Sequence, residues 1–409
     1  MSLREPVDVV IVGAGVIGAA TAYHLAVADP RLKIAIIEQD HVGHGSTARS
    51  FAAYRKQFRS RVHIQASVLS QRELEGFEKL TGISPGMRQI GYLFLYSDQA
   101  QLDYAAQAVS RQRELGVPDA VVLTPAQIRD KWPYIDGKLA GATWCPSDGY
   151  LDPLGIAMGY VEAAKARGVQ VLQGSRVTAI EHGPTGVEGV RLGDRLVRAS
   201  RVVLALGAWM KRLAPEVPIA PVKRYIYTTP PLKQRDVSAF PMTILDLGPY
   251  VRCEARVSLA FAFDEQPVAP SPEEIPGVPP LPDQPDYNIA PGFGANDGVE
   301  GYATQIMIRL SEAMSFWLEE EIGIADASCG YYEVTPDHRC VIDRAPRISG
   351  LYFVAGASGH GIMHGPAYGM LAADLILDRP ARIEGAREAF ALGPLLRGEM
   401  RPDPEDMII

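Results

Sequence analysis

The sequence predicts an α/β fold organised on a Rossmann-like βαβ unit, and three observations carry that prediction. Val7 to Val12 is a nearly unbroken apolar, β-branched run, the pattern of a strand buried on both faces of a parallel sheet. Gly13-Ala14-Gly15-Val16-Ile17-Gly18 follows at once and opens a small-residue helix that Pro30 closes. A second strand, Lys33 to Ile37, ends on Glu38, twenty positions after Gly18. Each part has a physical reason. Gly13 permits the tight turn, Gly15 lets a pyrophosphate approach the backbone, and Gly18 lets helix and strand pack closely. The helix start at Val16 and Ile17 offers free N–H groups to that pyrophosphate. Glu38, with Gln39 beside it, stands where a carboxylate takes a ribose hydroxyl pair. Together the parts favour a dinucleotide site over a plain structural βαβ unit.

Val7 to Ala28 is also the stretch most like a membrane span, but its three glycines, Asp8 and His24 argue for a buried βα unit. A chain of 409 residues is long enough for two domains. Its 47% hydrophobic and 22% charged residues are those of a globular protein. A net charge of −8 gives no reason to expect nucleic acid or an anionic membrane as partner. The four cysteines, Cys145, Cys253, Cys329 and Cys340, have no CxxC spacing. That fits reduced thiols in a cytoplasmic protein and gives no metal site. The amino terminus lacks a basic region followed by an apolar core, so no secretion signal is expected.

After Glu38 comes a loop in which Gly45-Ser46-Thr47 is expected to feed a helix N-terminus, a place for a further phosphate or ribityl contact. Val62 to Leu80 reads as one amphipathic helix stopped by Gly82, Ile90 to Tyr96 as a strand, and Gln99 to Leu115 as a helix stopped by Gly116. Thr124-Pro125 caps a short helix ending at Trp132-Pro133. Asp152-Pro153 opens a helix to Arg167, followed by a strand at Val169 to Leu172. Arg176 to Glu181, Val187 to Leu192 and Leu196 to Arg198 form a meander, and Arg201 to Leu206 is a buried strand leading into Gly207-Ala208-Trp209. Strands and turns fill Pro218 to Phe263. The proline-dense run from Pro267 to Pro291 belongs in neither a central sheet nor a helix, so it reads as a surface loop or lid. Leu310 to Ile322 is expected to be a helix.

Near the end the opening grammar returns. Tyr331 to Asp337 and Cys340 to Asp343 make a strand–turn–strand arrangement, Leu351 to Ala355 is a buried strand, Gly356 to Gly361 a second glycine turn, and Ile362 to Leu377 a helix. A nicotinamide cofactor has no need of this second cradle. A flavin does, because its pyrophosphate and its ring system need separate supports.

Taken in order, the glycine turn with Glu38, Gly45-Ser46-Thr47, Asp152-Pro153, Leu206-Gly207-Ala208-Trp209, Thr335-Pro336-Asp337 and Ser358-Gly359-His360-Gly361 resemble the D-amino-acid oxidase superfamily. The resemblance lies with the branch containing glycine oxidase, sarcosine oxidase and dimethylglycine dehydrogenase, and covers nearly the whole chain. It implies a glutathione-reductase-type FAD domain in segments 1–84, 148–217 and 328–385. An interrupting α+β substrate domain with a mostly antiparallel sheet would take 85–147 and 218–327, including a proline-rich loop at 265–300, before a tail at 386–409. It also implies oxidation of a C–N bond in an amino acid or N-methyl amino acid, with hydride passing to flavin N5.

Carried over by position, Gly13, Gly15, Val16, Ile17, Gly18, Glu38 and Gln39 would hold the ADP half of FAD. Ser46, Thr47, Arg49 and Ser50 would line the pyrophosphate and ribityl path, and Val177 would meet adenine through its backbone. Leu206, Gly207 and Trp209 match the turn under the cofactor. Gly356, Gly359, His360, Gly361 and Ile362 match the turn at the ring, where a helix N-terminus stabilises the charge of reduction.

At the substrate end the resemblance makes Arg55 the carboxylate clamp, a role suited to a bidentate, permanently charged guanidinium; the alternative is a surface arginine in a basic stretch. Tyr250 and Arg252, two apart on a strand, face the same way, either at the pocket or as a cross-strand pair. Tyr332 replaces a carboxylate-binding arginine and is either a hydrogen-bond donor to substrate or a core tyrosine. Met363 replaces a carboxylate-holding lysine. His360 is a flavin contact or a turn histidine, and His364 packing or a pocket wall. The covalent-flavin position falls on Gly330 and not on Cys329, so FAD is expected to be non-covalent. Ser258 to Phe263 lacks the lysine that favours reaction with oxygen, which points to a dehydrogenase passing electrons to a quinone or a partner flavoprotein. Rival readings are a 2-hydroxy-acid dehydrogenase on the same scaffold and a flavin-bearing assembly factor or non-catalytic subunit.

Overall fold

Strands buried on both faces need a layer on each side, and the opening strand shows how the sequence provides them. In the computed structural model, which describes residues 3, 6–232, 240–253, 257–261 (backbone only for 258–261), 287–298, 300–320, 322–403 and 405, Val9–Val12 is the inner strand of a six-stranded sheet. It pairs in parallel with Ile34–Ile37 on one side and Arg201–Leu204 on the other. Gln170–Leu172 and Leu351–Ala355 extend the parallel part, and Val341–Arg344 closes the far edge antiparallel. Alternation sends Val9 and Ile11 into one core, with the helices Val16–Ala28, Arg61–Glu75, Pro153–Lys165 and Gly361–Ile376. Val10 and Val12 face the opposite core, built with the Ala179–Gly183, Gly186–Leu192 and Arg195–Arg198 meander.

Gly13 has φ +106°, and a Cβ there would overlap the Ala205 carbonyl oxygen, a backbone atom that cannot swing aside. Gly13→Ala therefore combines a disfavoured backbone conformation with overpacking, and its thermal unfolding midpoint should fall, by the equivalent of about 3 kcal/mol.

The second layer system is an eight-stranded sheet in the order Asp326–Val334, Ala220–Thr228, Val257–Phe261, Pro249–Cys253, Met242–Leu245, Tyr92–Tyr96, Gly141–Cys145 and Val121–Leu123. Among the described residues only Met242–Leu245 against Tyr92–Tyr96 is a parallel pairing in this sheet. The sheet is covered by helices that include Gln99–Glu114 and Tyr302–Ser311. The strand Asp326–Val334 ends beside the second glycine turn, so the two sheets meet where the cofactor features converge.

Three expected elements differ. The helix expected over Val62 to Leu80 is two, Arg61–Glu75 and Phe77–Thr81, because the backbone leaves helical geometry at Gly76. The helix expected over Leu310 to Ile322 is instead Tyr302–Ser311 followed by the single turn Phe316–Glu319. Between them the Ala313 carbonyl accepts from Asp136 and Gly137, and the Asp136 carboxylate accepts from the Ser315 backbone and hydroxyl. No helix follows Gly45-Ser46-Thr47; the segment is a run of turns leading to the two-residue strand Ala53–Tyr54. Pro267 to Pro285, Ala262 and Phe263 lie outside the described residues.

Candidate functional site

Two helices that begin on glycine turns, Val16–Ala28 and Gly361–Ile376, pack against each other and open their N-termini into one cavity of about 300 Å³. In the first, the Val16 N–H donates to Thr47 Oγ1 at 3.1 Å, while Ile17 and Gly18 have no intrahelical acceptor. Glu38 closes the turn: one carboxylate oxygen accepts from Ala14 N–H at 2.8 Å and the other from Asp40 N–H at 2.9 Å. A carboxylate has further lone pairs, so these bonds leave acceptors for a hydroxyl pair. In the second turn Gly359 has φ +83°, and a Cβ there would strike the Tyr332 ring.

The cavity wall contains Gly13, Gly15, Val16, Ile17, Gly18, Glu38, Gln39, Ser46, Thr47, Arg49, Ser50, Val177, Leu206, Gly207, Trp209, Gly359, His360, Gly361 and Ile362. Arg55, Tyr250, Tyr332 and Met363 line it too. Two residues picked out from the sequence lie outside it. Gly356 turns the chain with φ +80° against Thr335. Arg252 shares a side with Tyr250 but donates to the Phe51 carbonyl at 2.9 Å and lies over the Phe51 and Tyr150 rings. Its long side chain reaches the loop backbone and not the cavity.

Some wall residues escaped the sequence reading: Arg224, whose guanidinium lies 5.5 Å from the Tyr332 ring centre, Tyr92, Tyr287 and Glu333. Strand alternation was the one signal available, since Arg224 pairs with Gly330 and Glu333 with Pro221 across the sheet. Among the described residues several wall atoms are buried without a hydrogen-bond partner, including Trp209 Nε1, Tyr287 OH and His360 Nδ1. Orphaned donors beside open helix N-termini and a turn-closing carboxylate fit a large polar ligand with an anionic middle.

The wall also carries a buried cation, Arg55. Arg55 is 1% exposed, stacks 3.8 Å over Phe58 and donates to the Gln57 carbonyl. Burial pushes its guanidinium below the ordinary value, yet an arginine starts so high that it stays charged. Burial, then the neighbouring Tyr332, with which it shares a hydrogen bond, raises the Tyr250 phenol well above its usual range. Behind them lie His63, His360 and His364, all buried, with nitrogens within 4.8 Å of one another. Arg55 beside them disfavours a metal cation there. The His364 Nε2 pairs with Ser67 Oγ at 2.8 Å and its Nδ1 with the Tyr368 hydroxyl at 3.1 Å.

Burial, then Arg55, pushes the His364 pKa down to about 3. The folded state therefore keeps this ring neutral while the unfolded chain takes up a proton below about 6.5, so stability is lost as pH falls through that window. Replacing His364 by Asn should flatten the acid-side slope of stability by about 1.4 kcal/mol per pH unit, read from urea unfolding between pH 6.5 and 4.

The chain belongs to the FAD dependent oxidoreductase (DAO) family, whose model matches residues 8–375. FAD-dependent oxidoreductase domain-containing protein 1 of Xenopus laevis is 26% identical, over 91% of this chain and 80% of that protein. Mitochondrial sarcosine dehydrogenase of Homo sapiens is 25% identical over 93% of this chain, which spans only 41% of that longer protein. Among solved structures, L-proline dehydrogenase from P. horikoshii matches with a TM-score of 0.82 at 24% identity, covering 98% of this chain and 100% of the other. That likeness establishes a shared fold. Among the described residues no helix is long and apolar enough to cross a membrane.

Proposed function

We propose that this protein is a dehydrogenase that removes a hydride from a carbon next to nitrogen in an amino acid or an N-methylated or other secondary amino acid. The observation that carries this reading is Arg55: a buried cation in the wall of the same cavity that both glycine turns open into. A guanidinium in that wall can grip a substrate carboxylate bidentately and keeps its charge at any working pH. Similarity to proteins named sarcosine, dimethylglycine and proline dehydrogenase supports the substrate class. The lack of lysine in Ser258 to Phe263 supports a dehydrogenase.

The residues divide the work by position. Ile17, Gly18 and Thr47 would hold the pyrophosphate of FAD, Glu38 the ribose, and the Gly361 helix start the ring, with segments 1–84, 148–217 and 328–385 forming the cofactor domain. When bound, FAD supplies the two-electron acceptor. Arg55 fixes the carboxylate, and the Tyr250–Tyr332 pair borders the substrate. Arg55 and Arg224 disfavour an ammonium, so the amine enters neutral and no side-chain base is required. His360, held neutral by burial and by Arg55, adds no charge at the ring. Gly330 stands at the covalent-anchor position and the Cys329 thiol bonds the Tyr287 carbonyl at 3.2 Å, which supports non-covalent FAD.

The test is anaerobic mixing of the purified protein with a panel of free and N-methylated amino acids and proline. At least one should bleach the visible flavin spectrum, and colour should return with a dye or quinone. A panel that leaves the spectrum unchanged contradicts the substrate class, and peroxide formation under air as fast as dye reduction contradicts the dehydrogenase assignment.

A further inference from the structure

Glu333 is a carboxyl group in the wall of the cofactor cavity that the proposed reaction does not use. It follows Tyr332 on the strand Asp326–Val334, pairs across the sheet with Pro221, and is buried. Its Oε2 lies against Gly207, where an added Cβ would sit 3.7 Å away. Its hydrogen bonds come from its own N–H and that of Ala357 in the second glycine turn. Among the described residues no basic side chain lowers its pKa: burial dominates, and the two backbone donors oppose it only partly. The titratable groups that sense it are the Cys340 thiol, at the edge of the outer strand, and the Tyr368 phenol of the Gly361–Ile376 helix, both raised by burial and so neutral. Burial pushes Glu333 up to about 7, so the acid is half-ionised near neutral pH.

We propose that Glu333 takes up a proton from solvent when the flavin in this cavity receives two electrons, and releases it when they leave. The hydride from the substrate carbon carries two electrons and one proton, and reduced flavin at neutral pH is an anion. A new negative charge in a poorly screened cavity raises the proton affinity of a facing carboxylate by roughly tenfold or more. Oxidised flavin, hydride, the Glu333 carboxylate and one solvent proton thus become reduced anionic flavin and the Glu333 carboxylic acid. When a dye or quinone removes the two electrons, the flavin proton and the Glu333 proton both return to solvent or to the acceptor. The inference rests on the proposed function only in requiring flavin in this cavity.

The experiment is the pH dependence of the flavin midpoint potential, measured on the holoprotein by equilibration with redox dyes from pH 6 to 9. One proton per two electrons gives about 30 mV per pH unit, the two-electron equivalent of a tenfold change, and a second proton doubles it. The wild type should therefore pass through a stretch near neutrality that is steeper than the same stretch in Glu333→Gln, which reports the flavin's own slope. Coincident slopes overturn the proposal. If the variant does not retain flavin, the infrared difference spectrum of the wild type decides: a carboxylic-acid C=O band must grow on reduction, and its absence overturns the proposal equally. A protein that binds no flavin contradicts the proposed function itself, whereas bound, reducible flavin with unchanged slopes contradicts only the role of Glu333.

Discussion

Arg55→Lys is expected to lower kcat/KM for the best amino-acid substrate by roughly 30- to 5,000-fold, the equivalent of about 2–5 kcal/mol, mostly through a higher KM. Lysine retains the charge but loses the planar fork that grips both carboxylate oxygens. Its strongly hydrated ammonium is also poorly suited to a site held between the Phe58 and Phe94 rings, which lie 3.8 and 5.3 Å from the guanidinium carbon. The substitution separates clamp from scaffold because Gln57 and Asp148, the polar groups of the adjoining segment, keep their own bonds to Tyr92 and Lys56. Flavin content and the visible spectrum should match the wild type. Unchanged KM across the substrate panel would mean that the carboxylate is held elsewhere, with Arg224 the first alternative.

The largest stability effect is expected at Asp337. Its carboxylate bonds Arg339 at 3.1 Å and Arg401 through two short contacts, and all three side chains are fully buried. Burial alone would raise the carboxyl pKa, but the Arg401 bonds and the charges of both arginines overcome it and leave it below the ordinary range. A lowered acid stabilises the fold above its unfolded value and loses that contribution as pH falls through its folded one. Asp337→Ala removes the acid that bonds two buried guanidinium groups and should cost about 3–5 kcal/mol in urea unfolding. It should also free the carboxyl-terminal segment, which Arg401 ties to the Cys340 and Arg339 carbonyls at 2.9 and 2.7 Å. A change under 1 kcal/mol would show that the cluster is not holding that segment.

Asp337 also shows what a motif reveals and what it hides. Thr335-Pro336-Asp337 marks the family, yet its acid bonds arginines behind the cavity instead of facing a ligand. The glycine turns and Glu38 were legible because their chemistry lies in short, contiguous stretches where spacing alone fixes which N–H groups are free. Arg224 and Glu333 were not legible, because each reaches the cavity through strand register against a distant segment. The helix expected over Leu310 to Ile322 failed for a similar reason: apolar spacing continued through it, but the distant Asp136-Gly137 turn bonds the Ala313 carbonyl and the Ser315 N–H. Tyr250 and Arg252 mark the limit of alternation, which gives the side of a strand but not how far along it a long side chain reaches.

The claim beneath all of this is that one FAD spans both glycine turns. A crystal structure of the protein purified with its bound flavin tests it most directly. The pyrophosphate should sit on the Ile17 and Gly18 amides and the ring system at the Gly361 helix start, with Arg55 and Tyr332 facing its open side. A flavin ring bound away from the Gly359–Met363 turn, or a pyrophosphate off the first helix, would contradict the account.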